Sequence, residues 1–148
     1  MFTGQDRHTF DEKGRLTLPA KYREELEKGI VVTRSVVEPC LLVFTREQWE
    51  VVGQRCSDLN SLDDDARSVA RYLFANAAEL VPDRQGRVIL PSRLRTWAGL
   101  NGEALILGSN TRLEIWSAER WAVLNDELEA NPDLLKASAR QLGINIGI

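Results

Sequence analysis

The chain has few of the residues that metal sites and disulfide frameworks require. Its 148 residues include two cysteines and a single histidine, His8. Cys40 and Cys56 are too far apart for a C-x-x-C motif, and one histidine cannot complete a zinc ligand set of the usual spacing with them. We therefore expect no metal and no cofactor. We also expect a buried free thiol at Cys40, which adjoins an apolar strand, and an exposed strand position for His8.

Long apolar runs and recognisable catalytic motifs are missing as well. No stretch approaches the roughly 20 apolar residues of a membrane-spanning helix, and residues 1–6 lack the basic and apolar regions of a signal peptide. No G-x-S-x-G, P-loop or G-x-G-x-x-G pattern occurs in the sequence. We expect a cytoplasmic protein that has no membrane partner and is not an enzyme.

A nine-residue phrase that occurs twice is the most informative feature that is present. DEKGRLTLP spans residues 11–19, and DRQGRVILP begins 72 residues later, over residues 83–91. The two copies share Asp, Gly, Arg, Leu and Pro, and their flanks repeat at the same offset, as Trp49 and Trp121 do. A module of roughly fifty residues is therefore duplicated, and such a unit buries too little surface to be stable alone. We expect the two copies to pack together and to form oligomers.

Each copy predicts the order strand, turn, strand, short helix, strand, turn, strand. Apolar and β-branched runs on either side of turn residues predict hairpins. These combine residues 7–10 with 16–18, 30–36 with 41–44, 80–81 with 88–90, and 104–107 with 113–116. Proline, glycine and capping signals predict helices over residues 19–28, 46–60, 63–73, 91–98, 121–128 and 134–142.

The charge of the chain is unevenly distributed between the repeats and the rest of the sequence. The formal net charge is −3 and the sequence pI is about 5.3. Residues 11–23 nevertheless contain four basic against two acidic side chains, and residues 83–95 contain four against one. Two basic segments in an oligomer would present a multiplied positive face to a polyanion.

The doubled D-x-x-G-R-x-x-x-P pattern, with Phe2 and Gly4 ahead of it, resembles the MraZ family of bacterial transcriptional regulators. The resemblance covers about residues 1–125 and implies an α+β, β-rich fold, a duplicated AbrB/SpoVT-like swapped-hairpin β barrel with flanking helices. We expect a first SpoVT-AbrB-like module over residues 5–48, a helical connector over 49–75, a second module over 76–119 and a C-terminal helical tail over 120–148.

The same resemblance implies a function. We expect a sequence-specific DNA-binding regulator that represses its own promoter and the division and cell-wall gene cluster behind it. It would bind short repeated sites as a ring-like homo-oligomer, an octamer or a dodecamer, and would be associated with the nucleoid. Arg15 and Arg87 are implied as the DNA contacts. Thr45 stands where many members have proline, and we expect this difference to affect only a helix cap.

The residues themselves leave several roles open. Arg15 and Arg87 can bind guanine or phosphate, or can pair with Asp11 and Asp83 to hold the turn, and both roles can coexist. Gly14 and Gly86 are expected at positive φ, and Pro19 and Pro91 at strand ends. The candidate phosphate contacts, which could equally form solvated helix faces, are Lys13, Arg84, Lys21 and Arg93, together with Arg23 and Arg95.

A second class of function also fits this sequence. Swapped-hairpin folds serve as dimerisation units beside toxin partners, so the chain could be a protein-interaction module without a DNA role. The acidic pI favours this alternative, while the doubled basic motif favours DNA. The alternative predicts a binding partner for the segment over residues 134–148.

Overall fold

The computed structural model describes residues 1–59 and 61–144, and both copies of the repeat contain strands and short helices. The strands are β1 Gln5–Thr9, β2 Arg15–Thr17, β3 Ile30–Arg34, β4 Leu41–Thr45, β5 Ala78–Leu80, β6 Arg87–Ile89, β7 Glu103–Ser109 and β8 Arg112–Ser117. The helices are α1 Arg23–Leu26, which follows a 3-10 turn over Ala20–Tyr22, α2 Arg46–Asp58, α3 Asp64–Ala75, α4 Ser92–Trp97, α5 Ala118–Glu129 and α6 Pro132–Gln141. The predicted α+β fold class is confirmed.

The larger sheet runs through both copies of the repeat in the antiparallel order β1-β7-β8-β4-β3-β5. The β3–β4 and β7–β8 pairs are the hairpins predicted within each copy, although β3 ends at Arg34 and not at residue 36. At the centre of the sheet β4 pairs with β8, and Leu41 lies opposite Ile115. The two copies therefore pack together as predicted, and they do so by sharing one continuous sheet.

The predicted hairpins around the two D-x-x-G-R turns are wrong in their pairing. β1 pairs with β7 of the second copy and meets β2 only through the bridge between Phe10 and Leu16. β5 pairs with β3 of the first copy, and β2 and β6 pair with each other. An isolated two-stranded hairpin is marginally stable, whereas crossing between copies adds each short strand to a larger sheet or a shared core. The swapped-hairpin barrel stays a prediction.

Among the described residues, one hydrophobic cluster takes side chains from both copies of the repeat. Leu16 and Val88 are 0% and 3% exposed and lie opposite each other in β2 and β6. Fully burying a side chain of this size contributes roughly 1.5–3 kcal/mol, so the shared cluster is a large part of the folding free energy. The other members include Leu18, Ile30, Val32, Leu41, Val43, Leu90, Leu94, Ile106, Leu113 and Ile115.

Helices α2 and α3, which follow the first module in the chain, pack against strands β3 and β4. Thr45 caps α2, because its hydroxyl accepts a hydrogen bond from the Gln48 N–H at 3.2 Å, as expected for this position. Trp49 packs between two rings, 5.4 Å from the centroid of Phe44 and 4.5 Å from that of Phe74. α2 ends at Asp58, and the predicted end of that helix at Asn60 lies outside the described residues.

The chain divides into two compact units, of which the first is Met1–Ser117 and the second begins at Ala118. In the second unit α5 spans Ala118–Glu129, where a helix over residues 121–128 was predicted, and Pro132 occupies the first turn of α6. Residues 145–148 of the predicted tail lie outside the described residues, and the four-part domain division stays a prediction. Within the described ranges, no helix combines the length and the apolar character needed to span a membrane.

Candidate nucleic-acid interface

A two-stranded antiparallel ribbon, formed by β2 and β6, carries both arginine motifs. Its register places Arg15 opposite Ile89, Leu16 opposite Val88, and Thr17 opposite Arg87. Because Leu16 and Val88 are repeat equivalents, the ribbon has an internal two-fold relationship between the copies. Both of these side chains are buried in the core, so the residues on either side of them lie on the outer face.

A single carboxylate organises the turn that precedes β2. Asp11 Oδ1 accepts hydrogen bonds from the backbone N–H groups of Lys13 and Arg15, each at 2.9 Å. Asp11 Oδ2 accepts a hydrogen bond from Arg15 Nε at 2.6 Å. The Gly14 N–H donates to the Asp11 carbonyl oxygen at 2.9 Å and closes the turn. Asp11 therefore fixes both the backbone of the turn and the direction of the Arg15 side chain.

The second turn repeats this arrangement almost atom for atom. Asp83 Oδ1 accepts from the backbone N–H groups of Gln85 and Arg87 at 2.9 Å, and Oδ2 accepts from Arg87 Nε at 2.7 Å. The backbone hydrogen bond from the arginine is the main cause that lowers the pKa of Asp83, and likewise that of Asp11, below the ordinary value of 3.8. Both carboxylates are therefore ionised at neutral pH, and each is paired with its arginine.

Glycine and proline give the two turns their backbone geometry. Gly14 and Gly86 both have a φ of +76°, a conformation that side chains other than glycine rarely adopt. Pro19 and Pro91, with φ of −56° and −54°, are the residues that precede the 3-10 turn and α4. Each proline thus stands just before its helical segment, where its missing N–H group leaves no intrahelical hydrogen bond unmade.

Two further arginines connect the two copies of the repeat. Arg23 of the first copy donates from Nη2 to the carbonyl oxygen of Gln85 in the second turn, at 3.0 Å. Arg95 of the second copy lies with its guanidinium carbon 3.9 Å from the centroid of the Phe10 ring, close enough for a cation–π contact. Sequence reasoning considered these residues as phosphate contacts or solvated positions and missed the cross-copy contacts. Their shared offset of 72 residues is the signal that could have indicated a paired structural role.

The structure brings Arg15 and Arg87 to one open groove of about 290 Å³ on the outer face of the ribbon. Diagonal neighbours in such a ribbon lie about 7–8 Å apart, so both guanidinium groups can approach the same ligand. The two side chains are 26% and 27% exposed. Each arginine donates its Nε–H to its aspartate, and within residues 1–59 and 61–144 no acceptor forms a hydrogen bond with the terminal nitrogens of Arg15 or Arg87. The other lining residues are Leu80, Val81, Asp83, Val88 and Ile89.

The four other predicted contacts fall into two groups. Lys13 and Arg84 are exposed residues of the two turns, adjacent to the ribbon. Lys21 instead lies with Nζ 3.5 Å from Asp6 Oδ2, and Arg93 donates from Nη1 to the carbonyl oxygen of Asn76 at 3.2 Å. The contacts of Lys21 and Arg93 are therefore with residues outside the ribbon.

The residues considered for metal or thiol chemistry lie elsewhere. Cys40 is a free thiol, 1% exposed, and burial raises its pKa to about 12, which confirms the predicted buried cysteine. His8 lies in β1 but is half-buried, so its predicted exposure is wrong, and burial lowers its pKa. The described part of the chain contains no cluster of three or more His, Cys, Asp or Glu side chains arranged to hold a metal.

The repeat also decides the family. Residues 1–72 and residues 73–144 each match the family model described as "MraZ protein, putative antitoxin-like". The two matches begin 72 residues apart, which is the offset of the duplicated phrase. The chain belongs to the MraZ family. The family membership predicted from the doubled motif is thereby confirmed.

MraZ relatives match almost the whole chain. The Transcriptional regulator MraZ of Carboxydothermus hydrogenoformans is 46% identical over 121 residues, which cover 82% of this chain and 84% of that protein. The protein of the same name from Thermobifida fusca is 46% identical over 129 residues, 87% of this chain and 90% of that protein. The one from Syntrophomonas wolfei is 38% identical over 144 residues, 97% of this chain and all of that protein. MraZ proteins are named as regulators and not as enzymes, which confirms the predicted lack of enzymatic activity.

Proposed function

We propose that this chain is a sequence-specific DNA-binding transcriptional regulator that reads DNA with the β2–β6 ribbon. The observation that carries the proposal is the placement of Arg15 and Arg87 on one outer face, each oriented by its own aspartate. The names of the MraZ relatives support the transcriptional role.

The shape of the ribbon supports binding in the major groove. That groove of B-DNA is about 12 Å wide and admits a two-stranded antiparallel ribbon. Arginine binds the O6 and N7 atoms of guanine with two N–H groups, and this is the commonest base-specific contact. Because the aspartate holds each Nε, the terminal nitrogens of Arg15 and Arg87 are pre-oriented at little entropic cost.

Lys13 and Arg84 supply phosphate contacts beside the ribbon in this proposal. Both residues are exposed in the two turns, so their positive charges lie next to the arginines and are accessible to a phosphate. Two phosphate contacts would give a slope of log affinity against log salt of roughly −1.8 per ribbon, which several ribbons in one oligomer would multiply. Lys21 and Arg93 have a smaller part, because each already has a partner elsewhere.

Homo-oligomers complete the proposed mechanism. One ribbon covers only a few base pairs, so several ribbons in a ring-like octamer or dodecamer would bind repeated sites together. Linked sites raise the overall affinity by a factor of about 10² to 10⁴ without any new contact, provided that the spacing of the sites matches the spacing of the ribbons. The spacing of the repeats would then contribute to selectivity.

The proposed targets are the promoter of the chain's own gene and the division and cell-wall gene cluster behind it, where the protein would act as a repressor. A nucleoid-associated position in the cytoplasm belongs to the same proposal. These features follow from the family resemblance, and the names of the relatives support only the transcriptional role.

Binding to the DNA upstream of the protein's own gene tests the proposal. Fluorescence anisotropy at near-physiological salt, with scrambled DNA as competitor, should show tight binding that the competitor does not remove. The affinity should fall steeply as salt is raised. Absence of selective binding by an intact oligomer would contradict the proposal.

A protein-interaction role is the second candidate, and two observations favour it. The family description contains the word antitoxin-like, and α6 exposes Leu134 and Leu135, which are 59% and 48% accessible. In this alternative, residues 134–148 would bind a partner protein. Deleting residues 131–148 should then abolish capture of the partner, and unchanged capture would count against the alternative.

A further inference from the structure

The outer face of the ribbon carries an apolar side chain next to both of its arginines. Ile89 is 61% exposed, lies directly opposite Arg15 in the register, and is two residues from Arg87 on the same strand. Alternation along β6 sends Val88 into the core and leaves Ile89 on the face that carries both guanidinium groups. Ile89 also lines the open groove with them.

The two ends of the ribbon differ at this position. The repeat equivalent of Ile89 is Thr17, which lies opposite Arg87. Each end therefore combines one arginine from one copy with one neighbour from the other copy. Arg15 is accompanied by an apolar side chain and Arg87 by a hydroxyl-bearing one. The two-fold relationship holds for the arginines and is broken beside them.

The chemistry of the major groove indicates which base the isoleucine beside Arg15 would contact. The C5-methyl group of thymine is the apolar group on the base edges in that groove, and apolar side chains that read sequence contact it. Ile89 is β-branched and lies on a strand, so its rotamers are few and its methyl groups have a defined direction. An isoleucine beside a guanine-reading arginine thus suits a thymine next to the contacted guanine.

We propose that Ile89 is a specificity-determining residue whose contact is the 5-methyl group of a thymine adjacent to the base contacted by Arg15. The inference rests on the proposed DNA-binding function and deepens it. It gives the ribbon two unequal ends, so a single binding site has a direction, and repeated sites favour one orientation over the other.

The first experiment selects bound sequences from a library of duplexes with a randomised centre. Wild-type protein should enrich thymine at a fixed position beside guanine, and Ile89→Ser, which has no methyl group to contact thymine, should lose that preference by about fourfold, the factor expected for one apolar methyl contact. The matched variant Thr17→Ile, which places isoleucine at the other end, should strengthen a thymine preference there. Ile89→Thr, whose one methyl group can still contact thymine, should keep part of the preference.

The second experiment replaces thymine by deoxyuridine in the selected duplex, which removes only the methyl group. Wild-type affinity should fall about fourfold, whereas the affinity of Ile89→Ser should change little. Equal losses in both proteins, or no loss in either, would overturn the inference. So would an oligomer whose size changes in Ile89→Ser while its base preference stays the same, because Ile89 would then be a subunit contact. If wild-type protein enriches no sequence at all, the proposed function itself fails, which is a distinct result.

Discussion

Replacing Leu16 and Val88, singly and together, tests the crossing of β2 and β6 between the copies. Leu16 is fully buried in the shared cluster, so Leu16→Ala should lower the free energy of unfolding by about 2–5 kcal/mol. Val88→Ala removes two methyl groups and should cost about 2 kcal/mol. Because the two side chains lie directly opposite each other, the double variant should deviate from additivity by about 0.5–3 kcal/mol.

The assay is urea unfolding, followed by tryptophan fluorescence and far-UV circular dichroism at a fixed protomer concentration, since assembly would otherwise shift the apparent stability. Val36 is 54% exposed and lies outside the core cluster, so Val36→Ala combined with Leu16→Ala is a matched control. That pair should be additive to within about 0.5 kcal/mol. Additive effects of Leu16→Ala and Val88→Ala, or separate transitions for the two copies, would refute the interleaved pairing.

Three further predictions concern the turns, a helix cap and the thiols. The lowered pKa values of Asp11 and Asp83 mean that the stabilisation of the turns is present above pH 3.8 and is lost as the pH falls through the lower folded-state values. A carboxyl titration followed by NMR should give both midpoints below 3.8, and a midpoint at or above that value would contradict the hydrogen-bonded turn. Thr45→Ala should cost about 1 kcal/mol in urea unfolding while Thr45→Ser costs less, and equal losses would show that the cap contributes nothing. Cys40 should react with a thiol reagent at neutral pH far more slowly than the half-buried Cys56, and fast modification of both would contradict the buried position of Cys40.

Local sequence was sufficient for elements whose partners are close along the chain. The β3–β4 and β7–β8 hairpins join neighbouring apolar runs through short turns, and both were predicted. The capping role of Thr45 was predicted because a cap depends on residues within one helical turn.

Pairing between the copies was not predictable from the same signals. The strands around Leu16 and Val88 have nearly the same pattern, so each fits its own neighbour and its repeat equivalent equally well. Long-range register is decided by which arrangement buries more apolar surface, and that depends on the whole fold. The duplication itself made a cross-copy pairing possible but could not select it.

The candidate site was predicted in part for similar reasons. The contact between Asp11 and Arg15 spans four residues, and it was one of the two roles considered for that arginine. Arg23 donates across the copies to a backbone carbonyl oxygen. Because every residue type has such an oxygen, the amino-acid sequence at the acceptor position gives no signal for this contact. Ile89 stands between two other apolar residues, Val88 and Leu90, so composition did not show which of them faces outward, and its position opposite Arg15 depends on the β2–β6 register.

The most direct test of the central claim compares arginine variants on the DNA upstream of the protein's own gene. Arg15→Ala and Arg87→Ala should each weaken selective binding by about 5- to 150-fold, the range for losing one bidentate arginine–guanine contact, without changing oligomer size. Arg55→Ala makes the same change of charge at an exposed position on α2 and should leave binding nearly unchanged. Equal affinities for all three variants and the wild type would contradict the proposal that the ribbon reads DNA.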